Sequence, residues 1–187
     1  MDIHGTHYPI LAAAVARTKG PVLELGSGDN STPMLHYLCA GRLLITADTD
    51  NAWLDKYAPG YSAPGAHEFQ QIKQAGDLKL PDVTRWIQGW REWSTIESIG
   101  SWGVVFADCA PGEARHELMI RAAHRAQLVV AHDSEKDYEA GGNYTYDVAA
   151  KHFQYVTEFR RFRPYTLIMS NVMPFPIEEC DKVWKPL

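Results

Sequence analysis

No apolar run in this chain approaches the roughly 18 residues that a membrane-crossing helix needs, so a span of that kind is excluded. Cysteine is scarce. Cys39, Cys109 and Cys180 are odd in number, far apart and form no C-x-x-C pair. That leaves neither a disulfide framework nor a cysteine zinc site. Positive charge is in deficit, with 18 Lys and Arg against 23 Asp and Glu and a formal net charge of −5. A mildly acidic chain lacks the electrostatic footprint of a nucleic-acid binder, which argues against nucleic acid as a partner. The one basic cluster, Arg160, Arg161 and Arg163, is explained at least as well by a solvated strand face. Repeats, low-complexity tracts and interdomain linkers are also missing. The leading MDIHGTHYPIL has neither the basic nor the apolar region of a signal peptide, and the expectation is a cytoplasmic protein.

What is present is an ordinary globular mixture, 45% hydrophobic and 22% charged over 187 residues, enough for one domain spanning 1–187 with one sizeable core. Short β-rich runs alternate with helical runs, the pattern of a parallel sheet covered by helices. The periodicity predicts helices over Pro9–Lys19, Thr32–Ala40, Ala52–Tyr57, Glu113–Ala126 and Asn143–Phe153. It predicts strands over Pro21–Leu25, Arg42–Ala47, Trp102–Ala107 and Gln127–Ala131. Between residues 59 and 101 the pattern is least legible, and His67–Lys73 and Val83–Ile87 both read as candidate strands. Tyr155–Phe162 and Tyr165–Ser170 read as a closing hairpin. The expected fold class is α/β: a doubly wound, mostly parallel Rossmann-like sheet with a C-terminal antiparallel hairpin.

The stretch VLELGSGDNST places Gly26 and Gly28 between an apolar strand and a helix. In that context glycines let a ligand approach the backbone near a helix N-terminus. A dinucleotide fingerprint would put glycine or alanine where Ser31 stands. Glu24, two residues before Gly26, would repel a pyrophosphate and welcome an ammonium group. Asp48, at the end of the second strand, stands where a carboxylate can accept hydrogen bonds from ribose hydroxyls. Asp50 reads equally as a ligand contact or as the cap of the next helix.

With these residues the sequence resembles the class I S-adenosylmethionine-dependent methyltransferases over about residues 20–171. VLELGSGDNST is similar to their first motif, ITADTD to their ribose-binding acid, VVFADCAP and LVVAHDSE to the ends of their fourth and fifth strands. The resemblance implies S-adenosylmethionine as cofactor and S-adenosylhomocysteine as product. It implies cofactor contacts at Glu24, Gly26, Ser27, Gly28, Asp48, Thr49 and Asp108. Four tryptophans fall between Trp86 and Trp102. Trp90 is the candidate for adenine contact, with core filling as the commoner use of such residues.

Asp108, His132 and Asp133 close two buried strands and are the candidate catalytic residues. Histidine, with an ordinary pKa near 6.5, suits a base that takes the proton of a hydroxyl acceptor. A histidine hydrogen-bonded at a strand end is the plainer reading. Catechol-type O-methyltransferases hold a cation with acids at these strand ends, but Ser134 stands where their asparagine would. A divalent cation is therefore not favoured, and no metal ligand is assigned. DCAPGEAR lacks the Asn/Asp-Pro-Pro-aromatic tetrapeptide of enzymes that methylate exocyclic base amines. The segment is more similar to small-molecule and saccharide O-methyltransferases, which makes a small-molecule acceptor the expected partner. Arg115 then reads as a grip on an anionic acceptor or as a surface residue of a helix. His4, Thr6, His7 and Tyr8 read as acceptor-site residues or as a helix lead-in. The remaining readings are an NAD(P)-dependent oxidoreductase and a non-catalytic ligand-binding domain on the same fold.

Overall fold

The fold, a computed structural model that describes residues 5–135, 144–178 and 180, is built on one seven-stranded sheet. Its strands in chain order are β1 (Val22–Leu25), β2 (Leu44–Asp48), β3 (His67–Gln71), β4 (Trp102–Ala107), β5 (Ala126–His132), β6 (Tyr155–Phe159) and β7 (Thr166–Ser170). In space they run β3-β2-β1-β4-β5-β7-β6. The four pairings from β3 through β5 are parallel, while β5 with β7 and β7 with β6 are antiparallel. After β1 the chain winds outward through β2 and β3, then returns to lay β4 on the other side of β1. The point of reversal lies between β1 and β4, where open α/β sheets hold their ligands.

Helices α1 (Tyr8–Arg17), α2 (Ser31–Leu38), α3 (Asn51–Tyr61), α4 (Asp82–Glu92), α5 (Thr95–Ser98), α6 (Arg115–Ala122) and α7 (Tyr146–Ala150) cover the sheet. Both faces of the central strands are covered, so β1, β2 and β4 are buried along their whole length, and β4 reads as an unbroken apolar run rather than an alternating one. The pleat still sorts them by parity. Leu23, Leu25, Val105, Ala107, Val129 and Ala131 face the layer of α4, α6 and α7. Val22, Val104, Phe106, Leu128 and Val130 face Ile10, Leu11 and Leu35 of α1 and α2.

The segment Val83–Ile87, a candidate strand by composition, lies instead inside α4. Ile87, Trp90 and Trp93 recur at helical spacing and share one cluster, and that stripe outweighs the β-branched residues at its start. Gly89 lets this helix press on the backbone: a Cβ there would lie 2.1 Å from the Lys73 carbonyl oxygen. The helix expected over Glu113–Ala126 is shorter, a 3-10 turn at Gly112–Ala114 followed by α6, and Ala126 opens β5. The expected helix Asn143–Phe153 contracts to α7, and Asn143 lies outside the described residues. His4 lies outside them too. No helix among the described residues is long and apolar enough to cross a membrane.

Candidate ligand and acceptor site

The glycine turn leaves β1 and enters α2 at the point of reversal. Gly26 has φ +93°, a left-handed backbone that glycine tolerates and other residues resist. A Cβ on Gly26 would lie 2.6 Å from the Asp108 carbonyl oxygen. The neighbouring strand's exit thus requires the glycine. Asp48 holds the other side of the turn. Its Oδ2 accepts the Ser27 backbone N–H at 2.6 Å and the Ser27 hydroxyl at 2.7 Å, and its Oδ1 accepts the Asp50 N–H at 2.9 Å. Asp50 caps α3 by accepting the Ala52 N–H.

Glu24 lies buried beneath the turn, and the cavity lining does not include it. It shares strand parity with Val22 and is paired in register with Thr46. Its carboxylate accepts the hydroxyls of Thr46 at 2.7 Å and Thr32 at 3.0 Å. Burial pushes its carboxyl up to about 7, against the pull of hydroxyls from Ser31, Thr46 and Thr32. Trp90 is also away from the cavity. Its indole N–H donates to the Ala110 carbonyl at 3.0 Å, and the Thr49 hydroxyl donates to the same oxygen at 3.2 Å. Both residues shape the loop after β4.

A cavity of about 350 Å³ opens over the turn, lined by His7, Gly28, Asp29, Asn30, Ser31, Trp53 and Asp108. Two carboxylates face it, and no lysine or arginine among the described residues lines it. The Asp29 carboxyl is held below the usual range by hydrogen bonds from Lys56 and Tyr57. Trp53, which composition did not single out, stacks on Tyr57 in the turn-facing part of α3.

Asp108, His132 and Asp133 converge as their strand ends predict, because β4 and β5 are parallel neighbours in register at Ala107 and Ala131. The His132 Nδ1 lies 3.4 Å from Asp108 Oδ2 and 3.4 Å from Asp133 Oδ1. Asp133 stands at φ 60°, a left-handed conformation that aspartate tolerates better than most residues. Arg115 comes from the start of α6 and is buried, not a surface residue. Its guanidinium bridges the two acids, with 3.0 Å to Asp108 Oδ1 and 3.0 Å to Asp133 Oδ2. It also donates to the carbonyls of Cys109 and His132 and lies over the Tyr144 ring. A cation held by the Asp108 and Asp133 oxygens alone would have to displace this arginine.

Proton accounting defines the histidine. Thr6 Oγ1 contacts the Pro164 carbonyl at 2.7 Å and His132 Nε2 at 2.9 Å. A carbonyl only accepts, so the threonine hydroxyl donates to Pro164 and His132 Nε2–H donates to the threonine oxygen. Nδ1 then faces two carboxylates and needs a cation or a proton of its own. Burial pulls the imidazole down, but the hydrogen bond to Asp108 and the charges of Asp108 and Asp133 raise it above the ordinary histidine value. Burial raises the Asp108 carboxyl, and the charge of Arg115 with the His132 contact brings it below the usual range.

His7, immediately before α1, is the residue that sequence reasoning placed least well. Phe106, Asp108, Val130 and His132 share one parity, which aims the last two strand ends at the start of α1. The His7 ring centroid lies 4.7 Å from that of His132. The ring is 1% exposed, and neither nitrogen has a hydrogen-bond partner. Burial and the charge of His132 lower it to about 3, against Asp108, so it is neutral near pH 7.

No family model and no curated protein matches the sequence. Solved structures do match. Human methyltransferase-like protein 13, in complex with SAH, is 13% identical with a TM-score of 0.59, covering 98% of this chain and 94% of that one. An O-methyltransferase family protein from Burkholderia thailandensis is 12% identical with a TM-score of 0.54, covering 91% of this chain and 57% of that one. Monomeric WbdD is 15% identical with a TM-score of 0.53, covering 90% of this chain. The chain spans 40% of WbdD's own length.

Proposed function

We propose, for a chain with the class I S-adenosylmethionine-dependent methyltransferase fold, that it binds S-adenosylmethionine over the glycine turn and transfers a methyl group to an acceptor at the ends of β4 and β5. The observation that carries this reading is the cavity at the point of reversal. It runs from Gly28 to Asp108 and, among the described residues, is lined by two carboxylates, the neutral His7 and no lysine or arginine. Such a wall suits a ligand with an ammonium and a sulfonium and repels a pyrophosphate, which sets the reading apart from an NAD(P)-dependent oxidoreductase. Bound there, S-adenosylmethionine supplies an electrophilic methyl group on sulfur. Asp48 is the group to accept a ribose hydroxyl: Ser27 occupies its Oδ2 twice, but its Oδ1 accepts only the Asp50 N–H and keeps a lone pair.

The acceptor meets the wall formed by Asp108 and His7. An oxygen of a small molecule or saccharide is the acceptor we favour, since a hydroxyl can donate to the Asp108 carboxylate that lines the cavity. His132 and Asp133 act through Asp108. His132 is doubly hydrogen-bonded and off the cavity wall, so its part is positioning rather than free general-base chemistry. Arg115 fixes the far oxygen of Asp108.

The test is a thermal-shift and calorimetry panel with S-adenosylhomocysteine, NAD and NADP. A ligand that binds only the native state at 100 times its Kd stabilises by about 2.7 kcal/mol. S-adenosylhomocysteine should raise the Tm and the nicotinamide nucleotides should not. Stabilisation by NAD or NADP alone would overturn the reading.

A further inference from the structure

We infer that His7, Asp108 and His132 form a binding site for one divalent first-row transition-metal ion at the inner end of the cavity. One ligand atom from each residue lies within 4.8 Å of the other two. Bonds of about 2.0–2.2 Å to imidazole nitrogen and carboxylate oxygen require ligand atoms roughly 3–4 Å apart. Side-chain rotation closes that difference.

Three independent features point to a cation rather than to chance proximity. First, His7 buries two ring nitrogens without a partner on the wall of a cavity, and a buried polar group without a partner is costly. A metal bond to one nitrogen gives that burial a purpose. Second, the tautomer of His132 is already set. Nε2–H donates to Thr6, whose hydroxyl donates to Pro164, and this turns the Nδ1 lone pair toward Asp108 Oδ2 at 3.4 Å. Metal-binding histidines are oriented by such an outer hydrogen bond on the opposite nitrogen. Third, Arg115 engages Asp108 through Oδ1, which leaves Oδ2 on the side of the two imidazoles. A proton on Nδ1 satisfies His132 and Asp108 but leaves His7 as it is. A metal ion in place of that proton serves all three residues, with one His7 nitrogen bound and the other unchanged.

Two imidazoles and one carboxylate favour zinc, cobalt, nickel or iron(II) over magnesium or calcium, which prefer oxygen. This differs from a cation on the paired strand-end acids, where Arg115 stands. The site does not depend on the methyl-transfer reading. If that reading holds, the ion polarises the acceptor oxygen beside Asp108.

The experiment titrates the full-length, chelator-treated protein with Co²⁺, reading the ligand-field absorption bands and the bound metal after dialysis. One equivalent should bind, zinc should displace it, and excess Mg²⁺ should not. His7→Phe keeps a ring of similar size against Phe106 and removes two unsatisfied nitrogens, so the metal-free variant should fold with an equal or higher Tm. Its Co²⁺ affinity should fall by about 100-fold or more, and His132→Asn should fall likewise. Absence of stoichiometric binding in the wild type overturns the site, as does wild-type affinity in His7→Phe. S-adenosylhomocysteine binding, measured separately on the metal-free protein, reports on the methyl-transfer reading alone.

Discussion

Replacing Arg115 by methionine tests whether the strand-end acids are held by one buried cation. The guanidinium side chain is 8% exposed, and those of Asp108 and Asp133 are 24% and 16% exposed. Removing one member of a buried ion pair costs roughly 3–5 kcal/mol, because the partner charge stays buried without compensation. Here two carboxylates lose their bridge, but both retain some water, and His132 still faces them. The expected loss is therefore near the lower bound, about 3 kcal/mol at pH 7, a large share of the roughly 5–15 kcal/mol of a domain. The pH dependence carries the sharper test. In the wild type Asp108 sits below the usual range, burial being outweighed by Arg115 and His132. Such a group contributes stability above its unfolded pKa of about 3.9, and that stability is lost as pH falls through the lower folded value. Without Arg115, burial dominates and the folded pKa rises above the unfolded one. The ionised group then destabilises at neutral pH, and acid relieves it. Urea unfolding at pH 7 and pH 5 should show the gap between wild type and Arg115→Met narrowing at pH 5. A gap below about 1 kcal/mol, or one indifferent to pH, would refute the bridge. Arg115→Lys should recover only part of the loss, since one ammonium cannot match the two-pronged geometry.

Asp48→Ala should weaken S-adenosylhomocysteine binding about 10- to 150-fold, the value of hydrogen bonds to a charged group; unchanged affinity by calorimetry removes Asp48 from the site. Gly26→Ala meets both a left-handed backbone, worth about 1–2 kcal/mol, and a carbonyl oxygen 2.6 Å from the new Cβ. It should lose at least about 2 kcal/mol in denaturant unfolding, and a wild-type midpoint would show that the turn adapts. His132 is raised in the folded state, so its contribution is full below about 6.5 and is lost as pH climbs through the higher folded value. The stability difference between wild type and His132→Asn should therefore shrink from pH 6 to pH 9 in the metal-free protein, and a constant difference contradicts the imidazolium.

The central sheet was legible because burial on both faces leaves little freedom in composition. WGVVFA and QLVVAH are apolar, β-branched and bounded by polar residues, and they appear as β4 and β5 with ends shifted by a residue at most. The segment Val83–Ile87 was not, because five residues of mixed polarity fit a strand or one face of a helix. Only its packing against Ile72 and Ala110, remote in sequence, decides between them. The glycine turn was legible as a turn, but not where its acid points. Glu24 looked like a ligand group because its spacing from Gly26 is that of the motif. Strand parity instead directs it into the layer beneath, where Thr32 and Thr46 hold it.

The acceptor side divides along the same line. Strand ends can be counted from sequence, so Asp108, His132 and Asp133 were placed together correctly by position. Their partners arrive from helices on opposite faces of the sheet, Arg115 from the α6 layer and His7 from the α1 layer; the sequence offers both as candidates, but local pattern cannot show that they meet the strand ends. Yet these two residues set what the strand-end groups can do. Arg115 takes Oδ1 of Asp108 and makes it a fixed anion. Thr6 takes Nε2 of His132 and leaves its other nitrogen toward Oδ2, with His7 alongside. Each oxygen of Asp108 thus answers to a different face of the protein. Substituting Asp108 itself would confound the two roles. Arg115→Met and His7→Phe separate them: the first should move stability and its pH dependence, and the second should move cation affinity while leaving the fold in place.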